Sequence, residues 1–352
     1  MFHLPQSQRT ADAEVIALVE EVMADWSASH ACLPGVLDRE LWQHLARLGL
    51  DELTSTAGGT WVDSVALLRA AARHAVPAPL VEHDLLARWV SEHAGIPVVG
   101  IGSGAAYQPI SPRDPHVITA RVPWAGLVDS LVAVWRHGDE ASACVVAVDD
   151  PAATVVEGTD LSGRRVDRVR IDTHGISTPQ RIDPSVAEAL ELRGALARAA
   201  QLTGAMASCV DLASAYAVER EQFGRPIGAH QSVQRLVVDA AVETTLAASA
   251  ADAAAWEVDH GTAESSRLSA AAAVSVAWHA SSVVIRNAHQ VLGAMGTTAE
   301  HALQRRTRAM LAWRSDYRGG QHWDAEIAGA VEGGSAPVWS DLVPASSQVT
   351  SR

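Results

Sequence analysis

The sequence predicts a multidomain α+β fold: an N-terminal helical domain (1–95), a middle antiparallel, barrel-like β domain (96–182), a C-terminal four-helix bundle (183–330) and a flexible tail (331–352). Two changes of hydrophobic period carry this reading. Apolar residues recur at three- and four-residue steps up to about residue 95, alternate with period two to about residue 182, and then return to helical spacing. Those spacings place side chains on one face of a helix or on alternate faces of a strand. The apolar content of 48% in 352 residues is enough for a sizeable core divided among two or three domains.

In the first segment Val15, Leu18, Val19 and Val22 form one helical face, and Leu41, Leu45, Leu48 and Leu50 another, with Gly49 as its stop. The helix running through Val65 to Arg73 is ended by Pro77 and Pro79, and a further one starts at His83-Asp84. The runs from Val117, Ser130, Ala143 and Val166 are rich in β-branched residues and read as strands. His137 to Glu140 reads as the turn between the second and third. Four long helical segments follow, at 184–217, 228–259, 263–294 and 298–316, and short links between them suggest an antiparallel bundle. The Gly/Ser/Pro-rich end reads as a tail.

Charge and cysteine usage exclude several function classes. A formal net charge of −14 argues against a nucleic-acid binder with a broad basic surface, but leaves room for an anionic ligand held by a few local cations. Cys32, Cys144 and Cys209 lie far apart, which speaks against a zinc site or a disulfide framework and fits a reducing cytoplasm. His74, His83, His230, His289 and His322 are scattered without ligand spacing, so no metal is expected. The N-terminus shows no signal-peptide pattern, and no run of about eighteen apolar residues suggests a membrane span.

The informative stretch is Tyr216 to Gln231, YAVEREQFGRPIGAHQ, where Gly224 and Pro226 separate two helical patterns. On one side stand Leu196, Ala199, Leu202, Met206 and Cys209; on the other Val233, Val237, Ala240 and Ala247. The chain therefore turns back as a hairpin carrying Arg220 and Arg225, with a new helix N-terminus expected just after Pro226. Cations beside a helix N-terminus form an anion site, because unpaired N–H groups and the helix dipole both favour negative charge.

The wording of this turn resembles the signature of the acyl-CoA dehydrogenase family: Glu219-Arg220, Gln222-Phe223-Gly224, Pro226-Ile227 and His230-Gln231. A second stretch, Gln290 to Gly296 with Glu300 four residues on, resembles the family's glutamine- and glycine-containing motif. Leu48-Gly49-Leu50 with Gly58-Gly59 is similar to the opening helical domain of that family. The resemblance implies the acyl-CoA dehydrogenase fold and FAD as cofactor. It implies an acyl-CoA substrate, a homo- or hetero-oligomer with a related subunit, and an electron-transfer flavoprotein as acceptor. It carries cofactor-binding roles onto Arg220, Gln222, Phe223, His230, Gln231, Gln290, Val291, Leu292, Gly293 and Ala294, which would serve the flavin of a neighbouring subunit.

The half of the site that serves a chain's own flavin departs from the family. Where the family has a threonine-glutamate-proline segment and a tryptophan-x-threonine stretch, this chain has Val98 to Ala105 and Val122 to Gly126. The Gly-x-Gly-x-Gly within the first is as compatible with a flexible strand entry as with a dinucleotide loop. The family's catalytic glutamate counts onto Tyr317, with Asp316 just before it as the candidate base. The alternative base position counts onto Gly194, with Glu191 nearby. Trp313 and Trp323 flank this region and are expected either to line an acyl pocket or simply to pack. Three readings follow: a complete homo-oligomeric dehydrogenase, which needs both halves of the site; a subunit of a mixed assembly, which needs only the half given to a neighbour; and a scaffold, which needs neither.

Overall fold

The computed structural model describes residues 11–111, 114–176 and 179–333. Helices α1 (Ala13–Ser29), α2 (Arg39–Arg47) and α3 (Trp61–Arg73) come first. A π-helical run, Val81–Arg88, then continues directly into α4 (Trp89–Ala94). Each of α1 to α3 starts where a side chain takes up free N–H groups: Asp12, Asp38, and a reciprocal Thr60–Asp63 capping box. Gly49 and Gly95 follow α2 and α4 in the left-handed region, as helix ends favour. Leu41, Leu45 and Leu50 are buried as the spacing implies, whereas Leu48 lies beyond the last turn of α2 and is 40% exposed.

The middle region is one seven-stranded sheet of β1 (Gly102–Ser111), β2 (Asp114–Pro123), β3 (Ser130–His137), β4 (Glu140–Ala147), β5 (Ala153–Val156), β6 (Val166–Asp172) and β7 (Gln180–Ile182). Their order is β5-β6-β2-β1-β3-β4-β7. The expectation of an antiparallel sheet needs one correction. β1 and β3 pair in parallel, Gly102 opposite Ser130 through Tyr107 opposite Trp135. The chain reverses from β1 into β2 and again through residues 124–129, so β3 lies on the free edge of β1 and runs the same way. Trp124 makes that second reversal with φ 64°, unusual for so bulky a residue, and is buried.

Glycines set how closely the layers approach. A Cβ on Gly104 would lie 2.7 Å from the Ala87 nitrogen, and one on Gly102 would lie 2.8 Å from a Val98 methyl and 3.0 Å from Ala87 Cβ. The Gly-x-Gly-x-Gly stretch is thus the inner strand of the sheet pressed onto the π-helical run, not a dinucleotide loop.

The C-terminal region comprises α5 (Pro184–Glu219), α6 (Gln231–His260), α7 (Ala263–Leu292), α8 (Ala302–Trp313) and α9 (Gly319–Gly333). α5 packs on α3, α6, α7 and α8, so one 36-residue helix joins the bundle to the N-terminal helices. The expected segment at 298–316 is shorter, and α9 follows it against α7. The tail expected at 331–352 is helical in α9 up to Gly333; its remaining residues lie outside those described. α7 reaches a mean hydropathy of 1.6 over eighteen residues, enough by length and composition to cross a membrane. It is packed between α5, α6 and α9, with Ala270, Ala277, Ala280 and Val284 buried.

Small residues allow this packing. A Cβ on Gly204 in α5 would stand 2.0 Å from the Arg69 carbonyl oxygen in α3. Gly204→Ala should therefore lower stability by about 3 kcal/mol in denaturant titrations, because backbone must move to admit it. Gly224→Ala, where a Cβ meets nothing within 4 Å, should lose only about 1 kcal/mol through its positive φ. Equal effects at the two positions would contradict this packing.

Candidate functional site

The hairpin is a built turn. Glu221–Gln222 and Arg225–Pro226 form two short antiparallel strands, β8 and β9, with Glu221 opposite Pro226 and Gln222 opposite Arg225. The central residues Phe223 and Gly224 both have positive φ, 55° and 78°, as a tight two-residue hairpin requires. The helix expected just after Pro226 begins instead at Gln231, because this β-turn and a 3-10 turn, Ile227–Ala229, intervene. Gly224 meets its conformation freely, whereas Phe223 is strained by it and stands 90% exposed, edge-on to the His230 ring.

Around this tip three polar features are unspent: Arg220, one ring nitrogen of His230 and the N-terminus of α6. Arg220 is exposed and its side chain has no partner among the described residues. Arg225 Nη2 donates to His230 Nδ1 at 3.2 Å, which leaves the proton on Nε2; that atom is buried without an acceptor. No side chain caps the N-terminus of α6. An arginine, an orphaned ring N–H and uncapped helix N–H groups together suit an anionic group with an aromatic surface beside it.

The second motif ends at the same pole of the bundle. α7 returns antiparallel to α6, and Asn287 Nδ2 donates to the Leu236 carbonyl at 3.0 Å. Gln290, Gly293 and Ala294 are exposed there, while Val291 and Leu292 are buried in the bundle core. The side chains of these last two anchor the turn and do not face a ligand. Gly293 takes φ 58° and ψ −138°, a region open to glycine alone, with nothing within 4 Å of a would-be Cβ.

The two base positions meet in space. A Cβ on Gly194 would lie 2.4 Å from the Tyr317 ring, so the tyrosine fills the room above the helix where a carboxylate would have to reach. Beside it, Asp316 Oδ2 accepts from Arg164 Nη2 and from Arg198 Nε, both at 2.8 Å. Arg198 also bonds Gln201 at 2.6 Å and pairs with Glu82, which is 1% exposed. Arg164 Nε reaches Asp160 at 2.9 Å, and its Nη1 has no hydrogen-bond partner, with Glu82 at 3.7 Å. Burial alone would raise the Asp316 pKa; the two guanidiniums outweigh it and hold the carboxyl below its ordinary range. The expected base is thus engaged by two cations, and a carboxylate so held is a weak proton acceptor. Burial pushes the Tyr317 phenol further above neutrality. Glu191, the other nearby carboxylate, pairs with Arg318 at 2.7 Å.

A cleft of about 650 Å³ runs beside this network, lined by Ala105, Ala106 and Pro123 of the sheet and by Tyr317. Trp124 lies outside it, buried in a separate cavity wall shared with Trp313, and Trp323 packs in the bundle, its Nε1 donating to the Tyr317 carbonyl at 3.0 Å. Among the described residues, Asp51, Glu52 and His83 come close enough together to offer metal ligands. Their atoms are already engaged. Arg88 pairs with Glu52, His83 Nδ1 accepts from the Gly102 N–H at 2.9 Å, and Nε2 faces Glu52 at 3.3 Å.

Sequence patterns did not single out Glu82, Arg164 or Arg198. One signal was present: Arg198 is the only charge between Gly194 and Met206, within a stretch that is otherwise apolar, small or neutral. Asp316→Asn should lower stability by about 3 kcal/mol at neutral pH, since it leaves two buried arginines short of a countercharge. The folded pKa lies below the unfolded value near 3.8, so the contribution is present above that value and lost as pH falls through the folded one. Denaturant midpoints between about pH 3 and pH 7 should therefore drop in acid more steeply for the parent chain than for the asparagine variant. Parallel curves would show that Asp316 is not held as an anion.

The sequence pattern of the family described as "Acyl-CoA dehydrogenase, C-terminal domain" matches residues 186–315. A curated relative, acyl-CoA dehydrogenase FadE34 of Mycobacterium tuberculosis (strain ATCC 25618 / H37Rv), is 40% identical over 90 residues. That match spans 25% of this chain and only 12% of the relative's length. Among solved structures, the ChsE4-ChsE5 complex from Mycobacterium tuberculosis aligns with TM-score 0.78 and 20% identity over 96% of this chain and 100% of that one. The Tcur3481-Tcur3483 steroid ACAD aligns with TM-score 0.76 and 19% identity over 90% and 96%. The sequence of its bundle thus matches the C-terminal domain of the acyl-CoA dehydrogenases over residues 186–315, and the chain shares the fold of these solved structures over nearly all its length.

Proposed function

We propose that this chain is one subunit of a mixed assembly that carries out FAD-dependent α,β-dehydrogenation of an acyl-CoA thioester, and that it lends its hairpin to a flavin held by a related subunit. The observation that carries this reading is the filled base site: the Tyr317 ring over Gly194, with Asp316 engaged by Arg164 and Arg198. In such an arrangement the candidate base Asp316 is spoken for by two cations, yet the hairpin leaves Arg220, His230 Nε2 and the N-terminus of α6 uncommitted. Both solved structures cited above, ChsE4-ChsE5 and Tcur3481-Tcur3483, bear paired names, which agrees with a two-chain enzyme.

In this role Arg220 pairs with the phosphates of FAD through its planar fork. Gln222, Gln231 and Gln290 supply hydrogen bonds, His230 Nε2 finds its acceptor, and Phe223 covers an aromatic face. Gly293, with no Cβ and open space beside it, allows close backbone approach, whereas Ala294 places a methyl where the family usually has glycine. The flavin, when bound, supplies the hydride acceptor. The proton is taken by the related subunit. Docking is favoured by a row of apolar side chains on α6, the helix that leaves the hairpin: Val238, Val242 and Leu246 are each more than half exposed.

Purified alone, the chain should be flavin-poor and unable to oxidise an acyl-CoA. Co-purified with a related subunit of the family it should carry about one flavin per two chains and turn over. In that assembly Arg220→Ala should release flavin without loss of helical circular dichroism, and Arg220→Lys should rescue it in part. A lone protein with one flavin per chain and thioester turnover would replace this reading with the complete homo-oligomeric enzyme.

A further inference from the structure

All 27 basic residues of this chain are arginine; lysine, ordinarily one of the commonest residues, stands at none of its 352 positions. The two side chains carry the same charge and differ as nucleophiles. A lysine loses its proton when burial or neighbouring cations lower its pKa, and the free amine attacks carbonyl carbon. A guanidinium stays protonated in proteins.

The difference is sharpest where the surroundings would activate an amine. Arg121 and Arg318 line the cleft beside Tyr317. Arg305 and Arg306 stand at a smaller cavity between the end of α3, α5 and α8. Burial lowers the Arg306 pKa, and the Arg305 charge lowers it further. A lysine in the same place, starting from about 10.4, would be brought toward neutrality. The other nucleophiles of the chain are withdrawn. Cys144 and Cys209 are buried, and burial pushes both thiols up to about 12. Burial also raises the Cys32 thiol and the Tyr107 and Tyr317 phenols.

We infer that this chain is inert to acyl transfer from the thioesters it meets, with arginine standing at the places where lysine would react. The inference rests on the acyl-CoA reading above. In the reaction so avoided, an amine nitrogen attacks the thioester carbonyl carbon. A C–N bond forms, the C–S bond breaks, and the thiol of CoA departs with the proton that the amine gives up. The resulting amide has no charge. At position 318 it would leave Glu191 without the cation that now pairs with it at 2.7 Å.

The test is intact-mass measurement of the full-length chain held with succinyl-CoA, whose own carboxylate activates its thioester toward amines in free solution. No binding or turnover is needed, so the result is independent of whether the chain takes part in dehydrogenation. After hydroxylamine has removed esters and thioesters, the parent should carry no acyl group except one on a terminal amine. A lysine-containing control protein should carry several. Arg306→Lys and Arg318→Lys should each gain one further group, located at that residue by peptide mass spectrometry, with unchanged circular dichroism. The inference fails if the parent takes up hydroxylamine-stable groups on its side chains, or if either lysine variant stays as unmodified as the parent.

Discussion

Arg198 stands midway along α5 and collects three acceptors, two of them from distant parts of the chain: Glu82 from the π-helical run and Asp316 from the loop after α8, with Gln201 one turn on in its own helix. Arg164, from the loop before β6, shares Asp316 and adds Asp160. Two arginines and three carboxylates thus tie the N-terminal helices, the sheet and the bundle to one another. Desolvating such charges is expensive, and a well-packed apolar replacement is often equally stable. What the cluster supplies is definition, since removing any one member strands its partners. It fixes the angle of α5 against the sheet, and with it the direction in which the hairpin projects from that helix's far end.

The same cluster occupies the region onto which both candidate base positions count. The space between α5 and the loop after α8 is packed with a tyrosine ring and salt-bridged charges where a substrate would need an open carboxylate. Packing holds that volume: the Tyr317 ring lies against Gly194, with the Arg198 guanidinium over it.

The layers were legible in the sequence because they rest on local period. The buried faces of α5 and α6, from Leu196 to Cys209 and from Ala240 to Ala254, fall at the expected steps. β1 was not legible as a strand, since its glycines answer to Leu86 and Ala87, which are remote in sequence. α9 escaped because its opening, Gly319-Gly320-Gln321-His322, offers no apolar step; Gly320 is needed there for the Trp278 ring, 2.3 Å from a would-be Cβ. The hairpin motif stood out by its wording, but the β-turn at its tip did not, because Phe223 is a poor guide to a positive φ. The charge cluster joins residues 82, 160, 164, 198 and 316, and no window of sequence contains such a set.

The hairpin at Arg220 to Gln231 has a kinetic consequence. Its turn is closed by a two-stranded ladder, by the Ile227 N–H on the Arg220 carbonyl at 2.7 Å, and by Gln234 on the Gly228 carbonyl at 2.9 Å. A slack loop of that length would lose about 1–2 kcal/mol of backbone entropy per residue on being ordered by another molecule. This turn has lost that freedom already, during its own chain's folding. Encounters made through it therefore resemble rigid-body docking, with little unfavourable entropy of ordering, and the lifetime of the resulting contact is governed by how quickly it lets go.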